Sequence, residues 1–193
     1  SVLSRNGFRR SGEHIYRPHC AQCQACIPVR VPVEKFSPTR SQKRAWRYNR
    51  DLYVIAREPR LNDSHFQLYQ RYLAHRHAGG GMDNPTREQY LGFLTSTWSQ
   101  TTFYEFRLSS ALMAVAVMDH LDDGSSAVYT FFDPLTPKRS LGVYTILWQI
   151  EEVKRRGGQW LYLGYLIHGC QKMGYKSAYR PQQHLVGNVW VDV

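Results

Sequence analysis

Three of the chain's four cysteines lie in the stretch "RPHCAQCQAC", where Cys20, Cys23 and Cys26 repeat at a spacing of three. Two overlapping C-x-x-C steps on a tight turn can aim thiolates at one point, as zinc and iron–sulfur sites require. A closed site needs a further donor, and His19 and the distant Cys170 are the candidates. The same spacing also suits small apolar side chains tucked into a tight loop. The residues alone leave both readings open.

Three other groupings have chemistry to offer. In "FFDPLTPKRSLGVY" a strand ends and a helix opens at Ser140, with Lys138 and Arg139 beside first-turn N–H groups that suit a phosphate or an acyl oxygen. A single glycine makes this a weak motif, and an ordinary capped helix explains it as well. Glu105, Asp119 and Asp133, with Tyr129, Tyr162 and Tyr165, include acids placed to orient an amine or relay its proton. Any single one of them is more often a surface or paired acid. Finally, "CQKMGYKSAYRP" gathers Lys172, Lys176 and Arg180 around Tyr175 and Tyr179, an anion-binding grouping or a solvated basic edge.

The elements that must position these groups are readable in outline. The 193 residues, 42% hydrophobic, can bury a sizeable core. No apolar run approaches the roughly 20 residues of a membrane span. The start "SVLSRNGFRR" has neither Met nor an apolar h-region, so we expect no signal peptide, residues upstream, and a reducing cytoplasm. The charge of +10 is uneven: residues 1–60 hold 13 Lys and Arg against four Asp and Glu, and the remainder is nearly balanced. Such asymmetry suits a phosphate backbone. "SPTRSQKRAWRYNRDL" adds Trp46 and Tyr48 as stacking surfaces.

Residues 27–36 predict a strand that Pro28 and Pro32 confine to an edge or an irregular ladder. Ser41 is expected to cap a basic segment from Gln42, and a strand follows at 52–59. Helices are expected over 63–77, capped by Asp63 or Ser64, and from 87 behind Thr86, with "AGGGMDNP" as a mobile stop between them. Strands at 101–110, 111–121 and 127–134 precede a helix over 141–156 capped by Ser140. A strand at 159–165 and a short helix ending near Met173 close the pattern. This order predicts an α+β or α/β fold with a mixed sheet, of the N-acetyltransferase kind. The expected division is a basic, cysteine-containing region over 1–60 and an acyltransferase-like core over 61–193.

"YRPHCAQCQACIPVRVPVEKFSPTRSQKRAWRYNRDL", "YEFR", "SSAVYTFFDP", "RSLGVYTILWQIE" and "LYLGYLIHGCQKMGYKSAYRP" closely resemble the arginyl-tRNA–protein transferase family. The likeness is greatest to its bacterial aspartate/glutamate leucyltransferase branch and runs from about Asn6 to the C-terminus. It implies transfer of leucine from leucyl-tRNA to proteins beginning with Asp or Glu, marking them for N-end-rule degradation. It also implies an acyltransferase-like core with an added N-terminal part. The ester is already activated, so no ATP or other cofactor is required for transfer.

On that reading Arg40, Lys43, Arg44 and Arg47 meet the tRNA. Arg180 binds the acceptor's acidic side chain, with Arg17 and Lys172 as second choices. Asp133 handles the amine, with Glu105 as alternate. Phe131, Phe132 and Tyr165 surround the leucyl side chain. Cys20, Cys23 and Cys26 match the family's signature cysteines, and the resemblance implies a zinc or iron–sulfur site there, incomplete without an upstream cysteine. An arginyl donor with the same acceptors is the alternative within the family. A non-catalytic tRNA- or RNA-binding module is the alternative outside it. A coenzyme A-dependent acyltransferase is disfavoured, because no glycine-rich loop follows "YTFFDP".

Overall fold

The computed structural model describes residues 1–76, 84–170 and 172–193. Most of the expected "AGGGMDNP" stop therefore lies outside the described residues. The chain opens with a one-turn helix, α1 (Val2–Arg5), and a small hairpin, β1 (Arg9–Ser11) with β2 (His14–Tyr16). Then follow β3 (Ile27–Pro32), α2 (Arg40–Tyr48), β4 (Tyr53–Arg57), α3 (Asp63–Arg76) and α4 (Arg87–Leu94). The rest is β5 (Gln100–Leu108), β6 (Ala111–Leu121), β7 (Gly124–Phe132), α5 (Leu141–Arg155), β8 (Trp160–Leu166), β9 (Gln183–Val186) and β10 (Val189–Asp192).

The helix starts show which cap prevails. Thr39, not Ser41, caps α2, because a Gln three residues on completes a reciprocal capping box. Thr86 and Gln89 do the same for α4. At α3 the Asn62 side chain accepts the N–H groups of Ser64 (2.9 Å) and His65 (3.2 Å), displacing Asp63 and Ser64 from that role. Ser140 does not cap α5 with its side chain: it sits in the left-handed region at φ 49°. A 3-10 turn, Gly174–Ala178, replaces the short helix expected to end near Met173.

Eight strands form one sheet in the order β10-β9-β3-β8-β7-β6-β5-β4. Every neighbouring pair is antiparallel except β7 and β8, which run parallel and are joined through α5. The fold is thus α+β with a mostly antiparallel sheet. β3 is an interior strand rather than an edge. It tolerates its prolines because a bulge lies at Val29/Arg30 and only those two residues pair with β9. β3 and β4 lie within the same sheet as the later strands, so a division at residue 60 runs through one sheet.

Helices cover both faces. On one face α5 packs Leu141, Tyr144, Leu147 and Ile150 against Phe106, Ala114, Ala116, Met118 and Leu161. α2 sits beside it, with Trp46 5.4 Å from Tyr144. On the other face α3 and α4 bring Leu68, Tyr69, Tyr90 and Leu94 onto Phe103, Val115, Val117 and Phe131. Each of the larger aliphatic and phenylalanine side chains among them contributes about 1.5–3 kcal/mol by burial, which anchors the middle of the sheet firmly. Its weak point is the junction of β7 and β8.

Candidate functional site

β7 and β8 pair only at Gly124–Trp160, Ser125–Leu161 and Ser126–Tyr162. Beyond those residues β7 pairs with β6 alone and β8 with β3 alone, so the two strands part towards their C-terminal ends. Such a fork at strand C-termini is where α/β sheets place ligands, because main-chain groups there lack strand partners.

Arg9, carried in on β1, fills the crotch of the fork. Its Nη1 donates to Ser126 Oγ (2.6 Å) and to the Tyr162 carbonyl (3.4 Å), and its Nη2 donates to the Ala127 carbonyl (2.5 Å). The guanidinium thus satisfies carbonyls on both strands just where the ladder stops. Gly164 makes room for it: a Cβ there would meet Arg9 Nε at 3.2 Å, and the glycine's φ of +83° is one that other residues rarely adopt. All three Arg9 acceptors are neutral, and burial pushes the guanidinium below the ordinary arginine value.

A second cation lies alongside. Lys176, only 7% exposed, donates from Nζ to the carbonyl of Tyr165, the residue after Gly164, at 2.5 Å. Burial, and then the neighbouring Arg9 charge, bring its ammonium down to about 8. Among the described residues no carboxylate pairs with Arg9 or Lys176. Asp119 makes itself felt at Arg9 but is held by Arg10, at 2.5 and 2.7 Å, and by Thr101 at 2.7 Å.

Aromatic rings frame the opening. Tyr165 donates its hydroxyl to the Gly7 carbonyl (2.8 Å), and its ring lies 6.0 Å from that of Tyr16. On the β7 side Phe132 packs 4.9 Å from Tyr72, and Gly142 lets the ring lie against α5. Tyr175, half exposed, interacts electrostatically with both Tyr72 and Arg9.

The structure distributes the expected site residues unevenly. Tyr165 and Phe132 border the fork, but Phe131 is fully buried between Tyr69 and Tyr90 and belongs to the core. Asp133 is half-buried at the end of β7, where its Oδ1 accepts the Leu135 N–H (3.1 Å). Glu105 lies on β5, two strands from β7. Its buried carboxylate takes His65 Nε2 and Arg107 Nε at 2.7 Å each, with Arg57 at 3.4 Å, a closed set of partners.

Arg180 and Lys172 are exposed. Arg180 donates to the Ser177 carbonyl at 3.3 Å. Arg17 is exposed and donates to Asn6 and Asn188. Arg139 is spent on a two-pronged pair with Asp51, at 2.9 and 2.8 Å, instead of facing the start of α5. Arg9 was not singled out by sequence reasoning: nothing in "GFRRSG" separates it from the chain's other cations.

Cys20 and Cys23 are exposed free thiols whose backbones are linked by the Cys23 N–H donating to the Cys20 carbonyl (3.4 Å), while Cys26 is half-buried at the entry to β3. Burial, then the Cys23 and Cys20 thiols, push the Cys26 thiol up. Among the described residues no three His, Cys, Asp or Glu side chains converge to hold a metal ion. As placed, the thiols do not converge on a point that zinc or a cluster could occupy.

The exposed face of α2 carries Arg40, Lys43, Arg44 and Arg47, none with an acidic partner among the described residues. Thr39, Arg40, Ser41, Arg44 and Arg47 line a cavity of about 580 Å³. Trp46 is turned inward, but Tyr48 is 53% exposed. α2 is tied to both loops that leave the fork. Gln42 Nε2 donates to the Ala178 carbonyl (3.0 Å) beyond β8, and Asn49 Nδ2 to the Arg139 carbonyl (2.7 Å) beyond β7.

Comparison with known proteins places this geometry. The family described as arginine-tRNA-protein transferase matches by its N-terminal part over residues 1–44 and by its C-terminal part over 64–186. An aspartate/glutamate leucyltransferase of Hahella chejuensis is 52% identical over 99% of this chain and 82% of its own length. One of Pseudomonas fluorescens is 52% identical over 98% and 80%. Among solved structures, L-PGS from Bacillus licheniformis superposes with a TM-score of 0.60 at 12% identity, covering 88% of this chain and 59% of that one. FemX superposes at 0.56 and 9% identity, covering 88% and 60%. These two likenesses are of fold alone. The chain belongs to the arginine-tRNA-protein transferase family.

Proposed function

We propose that this chain is an aspartate/glutamate leucyltransferase with an N-acetyltransferase-like acyltransferase core, and that the fork between β7 and β8 is where leucine changes hands. The observation that carries the activity is 52% identity, over nearly the whole chain, to relatives of that name. The donor is leucyl-tRNA and the acceptor a protein beginning with Asp or Glu, which the added leucine marks for N-end-rule degradation.

The acceptor's neutral α-amine attacks the ester carbonyl. A peptide bond forms, the ester bond to the terminal ribose breaks, and the amine proton ends on the ribose hydroxyl that leaves. The ester supplies the driving force, so the enzyme's work is positioning and charge stabilisation. β7 beyond Ser126 pairs on one side only, which frees main-chain N–H groups to face a developing oxyanion. Asp133, at the mouth of β7, is the acid placed to accept the amine proton. Phe132 and Tyr165 offer apolar surface to the leucyl side chain.

The tRNA docks on α2. Arg40, Lys43, Arg44 and Arg47 form an exposed stripe with no acid to neutralise it, and α2 touches both loops at the fork. A tRNA on that stripe has its charged end within reach of the fork.

The test is incubation with tRNA charged with labelled leucine or labelled arginine and peptides beginning with Asp, Glu or Ala. Leucine should appear on the Asp and Glu peptides only. Transfer from arginyl-tRNA alone would assign the arginyl reaction, and transfer from neither would leave an RNA-binding module.

A further inference from the structure

Arg9 and Lys176 present an unusual electrostatic situation. Arg9 is half-buried and Lys176 buried, each is satisfied by neutral oxygens only, and both reach the same short run of β8, Arg9 at Tyr162 and Gly164 and Lys176 at Tyr165. Buried cations are normally paired, because losing water costs far more than a carbonyl returns. The immediately adjacent Arg10 obeys that rule with Asp119. The other titratable groups that act on the pair are Tyr16, Tyr165, Tyr175 and Cys170, together with Asp119, whose carboxylate is already bonded to Arg10 and Thr101. Two positive charges at the fork, with spare N–H donors and no carboxylate paired to either among the described residues, make a receptor for an anion from outside.

We propose that Arg9 and Lys176 together bind the side-chain carboxylate of the acceptor's N-terminal Asp or Glu, and so set acceptor specificity. This rests on the leucyltransferase reading and assigns within it the group that distinguishes acceptors. A carboxylate fits better than a tRNA phosphate on two counts. The phosphate-sized charge is already met by the open stripe on α2, whereas the two cations of the fork lie beside Tyr16, Tyr165 and Tyr175. A guanidinium and an ammonium also bracket a small planar anion from two directions. The exposed Arg180, Arg17 and Lys172 have water to solvate them and therefore discriminate less.

The experiment uses the full chain without tRNA and peptides beginning with Asp, Glu, Asn or Gln, titrated by calorimetry. The wild type should bind the acidic peptides at least about tenfold more tightly than their amides, the size of one lost charge-assisted hydrogen bond. Lys176→Met should abolish that preference and Lys176→Arg should retain it. Arg9 also holds the fork together, so Lys176 carries the test, with the melting temperature of each variant as the check on folding. In the transfer assay Lys176→Met should raise KM for the Asp peptide while KM for leucyl-tRNA stays within about twofold. An intact preference for the acid in Lys176→Met would overturn the proposal. So would a rise in the leucyl-tRNA KM with the peptide KM unchanged, which would give the pair to the donor. Acid-selective binding lost in Lys176→Met, in a protein that transfers no leucine, would uphold this site and sink the leucyltransferase reading.

Discussion

Arg9 and Arg10 are consecutive residues of one short strand with opposite surroundings. Arg10 points into a closed set: Asp119 grips it with two bonds, and Thr101 and the Leu94 carbonyl complete the shell. Arg9 points into the fork and meets only neutral oxygens beside the buried Lys176. A strand sends successive side chains to opposite sides, so one hairpin delivers a structural pair and an open receptor at once. A buried charge with its counter-ion inside the protein stabilises structure, and one lacking it awaits a ligand.

The largest expected effect breaks the structural half. Arg10→Ala leaves Asp119 buried and unpaired, which costs about 3–5 kcal/mol. In a chain of this length that is a melting temperature lower by about 10 °C, measurable by circular dichroism. The receptor half should respond in the opposite sense. The Lys176 ammonium is held near 8 against an ordinary 10.5, a native-state penalty of up to about 3 kcal/mol at neutral pH. Because its pKa is lowered on folding, that penalty is full below about pH 8 and fades as pH rises towards 10.5. Lys176→Met should therefore match or exceed the wild-type melting temperature at pH 7, with the difference shrinking above pH 9.

A smaller effect concerns α2. Arg44→Gln with Arg47→Gln should weaken leucyl-tRNA binding about tenfold and reduce the slope of log affinity against log salt by roughly 1.5–2. The peptide KM and melting temperature should stay put. The smallest effect belongs to His65 and Glu105. Burial lowers the His65 pKa despite Glu105. For Glu105 burial acts upwards, but hydrogen bonds from Arg107 and His65 outweigh it and leave the carboxyl below its usual value. Both depressed values mean stability that is present at neutral pH and lost on acidification. The loss begins below about pH 6.5 and steepens below about pH 4.3, the ordinary glutamate value, where the unfolded chain takes up a proton that the folded Glu105 does not. Melting temperature against pH, in wild type and His65→Gln, reads it out.

Much of the central sheet was legible because its strands and α5 carry their own periodicity, from "TTFYEFRLSS" through "QWLYLGY". The two terminal hairpins were not. β1 and β2 are three residues each, and β9 and β10 have only four, too short for a pattern. The cap at Ser140 failed because a left-handed backbone turns the hydroxyl away. For the site, the basic stripe on α2 was readable as i, i+3, i+4, i+7 spacing, and "CQKMGYKSAYRP" contains Lys176. Its exposed members drew attention first, because burial is a property of the fold. Arg9 meets Gly164 across 155 residues of chain, and no local pattern announces such a contact.

The most direct measurement is the ratio of kcat/KM for an Asp-initiated peptide over its Asn-initiated counterpart, with leucyl-tRNA saturating, in wild type and Lys176→Met. A wild-type ratio of at least about tenfold, falling to within about twofold in the variant, is the predicted result. A variant that transfers leucine with the wild-type ratio intact would contradict the assignment of acceptor recognition to the fork.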